Sequence, residues 1–106
     1  MRYYELMIIL DGEMQKEEAD KFIENFKSFV EENNGKIFKV EDMGLRKFAY
    51  PIKKKNSGYY YVVYLKIDYN LMKEIERKFK IDETVFRYLF IKHNPKKSEI
   101  FKEEAA

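Results

Sequence analysis

Residues 59–67, YYYVVYLKI, constrain this chain more than any other stretch. Aromatic and β-branched side chains in an unbroken run suit a packed, pleated strand and little else. Alternation puts Tyr59, Tyr61, Val63, Leu65 and Ile67 on one side, and Tyr60, Val62, Tyr64 and Lys66 on the other. The first side is apolar throughout and must be covered by helices. The second is apolar at three of its four positions. Any fold for this chain has to account for both faces of one sheet.

The remaining elements follow from changes of hydrophobic period. RYYELMIIL (2–10) is a second strand, closed by the turn pair Asp11-Gly12. From Met14, Ala19, Phe22, Ile23, Phe26 and Val30 recur at helical spacing, with Glu17 and Glu18 near the positive end of the helix dipole and Asn33-Asn34-Gly35 as a stop. Lys36 to Ile52 predicts a long strand broken by a bulge at Gly44; Pro51 cannot donate to a ladder and so assigns it to a sheet edge. Lys53 to Gly58 is a polar connection. Asn70 is the expected cap of a second helix with stripe Leu71, Ile75 and Phe79, and Ile81 to His93 is the expected last strand. The order strand, helix, strand, strand, helix, strand is that of an α+β, ferredoxin-like βαββαβ fold: a four-stranded antiparallel sheet with two helices on one face. One domain over 1–94 and a flexible tail over 95–106 complete the expected organisation.

Two helices cover only one face. The other should hold Tyr3, Met7, Ile9, Tyr60, Val62, Tyr64, Leu89 and Ile91, more contiguous apolar surface than a small monomer usually shows without a partner. On this reading Phe residues mainly build the core while several Tyr residues meet a partner. The formal charge of +2 conceals a separation. Glu13 to Glu32 carries seven acids against three lysines. Gly44 to Lys66 carries six bases and no acid, and Thr84 to Ser98 four bases and no acid. An acidic helical back and basic strand edges form the electrostatic footprint of an RNA binder.

Chemistry is sparse. With no Cys, disulfides, thiol nucleophiles and thiolate metal sites are excluded. Four glycines stand singly, so there is no phosphate loop. His93 is the only histidine and reads as a surface residue, with an RNA contact as the alternative. Acylphosphatase-like enzymes share this fold and use an arginine in the loop after the first strand, but Asp11-Gly12-Glu13-Met14-Gln15 has none. No enzyme activity, cofactor, small-molecule substrate, metal or membrane is expected, and the expected location is cytoplasmic.

Two RNA-binding families share this element order. Ser57-Gly58-Tyr59-Tyr60-Tyr61-Val62-Val63-Tyr64 partly matches the third-strand signature of RNA-recognition motifs, but that would turn Tyr59 and Tyr61 outward, and with them Val63, Leu65 and Ile67. The parity argues against it. Gly44-Leu45-Arg46-Lys47-Phe48-Ala49-Tyr50-Pro51-Ile52-Lys53, together with Met1-Arg2-Tyr3-Tyr4-Glu5, the Lys54…Gly58-Tyr59-Tyr60 hairpin and Arg87…Lys92, resembles the bacterial small-subunit ribosomal protein six family. The resemblance spans residues 1 to about 94 and implies a non-enzymatic ribosomal component. Its implied partners are small-subunit ribosomal RNA and ribosomal protein eighteen. Arg2, Arg46, Lys47, Arg87 and Lys92 are then the candidate RNA contacts, long cations at strand or loop edges. Tyr3, Met7, Tyr50, Tyr60 and Tyr64 are the candidate protein contacts, although Tyr50-Pro51-Ile52 reads equally well as a structural hairpin entry. A homo-oligomeric module without nucleic acid is the rival reading.

Overall fold

The computed structural model describes residues 1–52 and 54–101. Its elements are β1 (Arg2–Asp11), α1 (Lys16–Glu32), β2 (Lys36–Ile52), β3 (Lys55–Ile67), α2 (Tyr69–Ile81) and β4 (Val85–His93), followed by a short 3-10 turn at Pro95–Lys97. The strands form one antiparallel sheet in the order β2-β3-β1-β4, the expected ferredoxin-like arrangement. The long apolar strand β3 and the apolar β1 are central. Pro51-bearing β2 is an edge, where a missing N–H costs no ladder bond.

The covered face is the one alternation selects. Leu6, Ile8 and Leu10 of β1 and Val63, Leu65 and Ile67 of β3 are wholly buried against Ala19, Ile23, Phe26 and Val30 of α1 and Leu71, Ile75 and Phe79 of α2. Each such Val, Leu, Ile or Phe side chain contributes roughly 1.5–3 kcal/mol by leaving water. Tyr61 is buried in this core with its hydroxyl at the rim, where it donates to Asp20 Oδ1 at 2.8 Å and accepts from Lys16 Nζ at 3.0 Å.

Several boundaries differ from the sequence reading. The cap of α2 is Asp68, not Asn70: its side chain accepts the Leu71 N–H at 2.7 Å, so the helix begins one residue before Asn70. Ile81 closes α2, largely exposed, and β4 begins only at Val85, because Asp82 and Thr84 form a turn of their own. The polar connection is shorter than expected, since β3 starts at Lys55 and the turn is made by Lys54 with φ 63°. Lys53 lies outside the described residues. Gly44, at φ 80°, marks the expected bulge, where the pairing slips between Asp42 and Gly44. Of the stretch expected to be a tail, residues 95–101 turn back onto the sheet, and residues 102–106 lie outside the described residues.

Candidate functional site

The helix-free face of the sheet is lined in two places by aromatic clusters. At one end each strand supplies one ring: Tyr3 from β1, Phe38 from β2, Tyr64 from β3 and His93 from β4. Phe101 from the C-terminal segment sits among them and is wholly buried. Lys66 lies 5.6 Å above Tyr3 and Lys36 4.7 Å above Phe38, so cations rim this group. At the other end Phe48 of β2 packs on Tyr60 at 6.2 Å and on Phe86 at 6.5 Å. Ile9, expected on the open face, is therefore only 4% exposed. Leu89 and Ile91 remain open, at 50% and 43%.

The face is thus apolar as expected, yet much of it is covered by the chain's own Phe residues. Phe22, Phe26, Phe29, Phe79 and Phe90 belong to the helix-side core, which was expected to hold most of the Phe residues, but Phe38, Phe48, Phe86 and Phe101 lie on this face. Alternation missed them because parity is lost at bulges. The β2–β3 pairing slips between Ile37 and Lys39, and Phe86 is the extra residue where β4 slips against β1 between Ile9 and Leu10. Phe101 left no periodic signal. A single aromatic in a polar tail was the only hint of its role.

His93 is more than a surface residue. Its Nε2 lies 2.9 Å from Glu5 Oε1, with both side chains about a quarter exposed, at 25% and 27%. The Tyr64 hydroxyl is held above the ordinary phenol range, first by burial and then by the negative charges of Glu5 and Glu41. This polar pair sits inside an otherwise aromatic surface.

All five candidate RNA contacts are exposed. They do not form one patch. Arg2 and Lys92 line a common groove beside α2 with Lys73, Tyr88 and Phe90, and the Arg2 guanidinium lies 5.3 Å from the centre of the Tyr69 ring. Arg46 and Lys47 pair opposite Gly58 and Ser57 at the far end of β2, and Arg87 pairs opposite Ile9 on the other edge strand. Three strand spacings separate the two edges, roughly 14 Å, and the length of β1 separates the two ends by roughly 30 Å. Arg46 Nε donates to the Met43 carbonyl at 3.1 Å. Lys55, by contrast, is committed to Glu13 at 2.6 Å.

Among the candidate protein contacts, Tyr3 and Tyr64 belong to the four-strand cluster, Tyr60 to the second, and Met7 lies between them, paired with Val62 and Leu89. Tyr50 stands apart on β2, 83% exposed. Tyr59 and Tyr61, the pair an RNA-recognition motif would turn outward, are 7% and 2% exposed beneath the helices. Among the described residues no group of His, Asp and Glu could hold a metal ion, and no helix is long and apolar enough to cross a membrane.

Residues 3–92 match the family model described as ribosomal protein S6. The chain belongs to the ribosomal protein S6 family. It is 43% identical over 97 residues to the small ribosomal subunit protein bS6 of Helicobacter acinonychis, covering 92% of this chain and 68% of that one. It is 39% identical to the bS6 of Nitratiruptor, covering 92% and 76%. The crystal structure of 30S ribosomal protein S6 from Thermotoga maritima superposes with a TM-score of 0.80 at 39% identity, covering 87% of each chain. The S6 assignment makes this chain a component of the small ribosomal subunit, a structural protein of translation rather than an enzyme. Of the block that carried the resemblance, residues 44–52 form the far end of β2.

Proposed function

We propose that this S6-family chain binds small-subunit ribosomal RNA together with ribosomal protein eighteen, in the cytoplasm. Arg2, Arg46, Lys47, Arg87 and Lys92 contact the RNA, and Tyr3, Met7, Tyr50, Tyr60 and Tyr64 serve the protein interface. One observation carries the reading: all five cations stand exposed on strand edges and ends, away from the acidic α1, on a scaffold of small-subunit proteins. Two basic groups at opposite ends suit an RNA that follows the molecule along its length, gripped through phosphates. The apolar face between them, with Leu89 and Ile91 open, suits a protein.

The test is a gel shift with small-subunit ribosomal RNA, with and without ribosomal protein eighteen. Weak binding alone and tight binding with the partner support the proposal. A stable self-dimer with no shift under either condition would support the homo-oligomeric rival instead.

A further inference from the structure

Phe101 belongs to no strand or helix, yet it is as deeply buried as any core side chain. Its ring centroid lies 4.9 Å from Phe38, 5.0 Å from Tyr3, 5.7 Å from His93 and 6.1 Å from Tyr64. One ring comes from each of the four strands, so the seat is a box built by the sheet and filled from outside it. The return path is short and shaped. The Asn94 side chain accepts the Lys96 N–H at 3.1 Å, the 3-10 turn follows, and Ser98 is buried at the start of the run to Phe101.

We propose that Phe101 is a removable plug: in the free protein it closes the aromatic box, and it must leave before the protein partner can seat on this face. The segment is anchored chiefly by this one side chain, while Lys96, Lys97 and Glu99 point into water. Burying one large ring, helped by Ser98, is set against the entropy of ordering a run of largely exposed residues, a cost at least as large as what one ring contributes. A segment held so lightly opens in a minor fraction of molecules and can leave its seat when a partner competes for it. The box lies beside the open Ile91, so a partner's apolar side chain placed there would meet a continuous surface once the ring is gone. This deepens the reading that Tyr3 and Tyr64 serve a protein interface, and rests on it.

The experiment compares the full chain with Phe101→Ala in two measurements. Ring resonances of His93, Tyr3 and Tyr64 report the box, and those of Phe48, Tyr60 and Phe86 at the other end report that the variant is folded. Titration with ribosomal protein eighteen then gives the affinities. A plug predicts shifts confined to the box and binding about tenfold tighter in the variant, since the competent fraction no longer limits it. Unmoved box resonances would show that the box is empty in solution and overturn the proposal. Shifted resonances with equal or weaker binding would also overturn it, making Phe101 a bystander or a part of the interface. Failure of both chains to bind would overturn the protein-interface reading and the plug with it.

Discussion

Tyr61 shows how much one side chain can settle. Its ring is core and its hydroxyl is a junction, held by Asp20 and Lys16, with Asp42 joined to the same ammonium. Burial, with the hydrogen bond to Asp20, pushes the phenol up to about 12 against the opposing pull of Lys16. An unfolded tyrosine ionises near 10, so the folded state holds this proton more tightly. The associated stability is complete below about pH 10 and is lost as pH climbs towards 12. Burial lowers the Lys16 value, but the bonds to Asp20, Asp42 and Tyr61 outweigh it and raise the value overall, which acts in the same direction. Asp20 works oppositely: the bonds from Lys16 and Tyr61 depress its carboxyl, so its contribution is present at neutral pH and falls away in acid. Absorbance titration should therefore show Tyr61 as the last of the raised tyrosines to ionise, after Tyr64 and Tyr88. Tyr61→Phe should remove that late step and cost about 1 kcal/mol in urea unfolding. The sequence placed Tyr61 on the inner face, but both partners of its hydroxyl lie on α1, with Asp42 of β2 joined through Lys16, and no local pattern connects them.

Elements were legible where period and pairing stay in step. β3 and the stripes of both helices follow alternation or helical spacing, β1 does so except at the covered Ile9, and their inner faces are those read from the sequence. β2 is different. Its register slips three times, so counting residues cannot say that Phe38 and Phe48 share a face. Gly58 explains why Phe48 arrives where it does: a Cβ built there would lie 2.7 Å from the Phe48 ring and 2.7 Å from Ile9. The absent side chain is the space the ring uses. Gly58→Ala should cost about 1–3 kcal/mol by overpacking and shift the Tyr60 and Phe86 resonances, read by thermal melts and NMR. At the other end of the sheet, Asp68→Ala should cost about 1 kcal/mol by leaving the first turn of α2 without its acceptor, whereas Asn70→Ala should cost much less.

For the whole molecule, the net charge of +2 is less informative than its distribution. Helix α1 is acidic, while α2, the edge strands and the hairpin carry exposed cations. Composition along the chain showed that separation. It could not show that Arg2 and Lys92 share one groove, or that Arg46 and Arg87 stand on opposite edges, because sheet order decides both. Nor could it place Phe101, whose partners come from every strand. Exposed cations that grip ribosomal RNA through its phosphates make binding depend on salt. The measurement is the slope of log affinity against log salt for assembly with small-subunit ribosomal RNA and ribosomal protein eighteen, comparing the unmodified chain with Arg46→Glu/Lys47→Glu. Weaker binding with a slope shallower by roughly 1.5, as expected for two lost phosphate contacts, is the predicted result. An unchanged slope would contradict it.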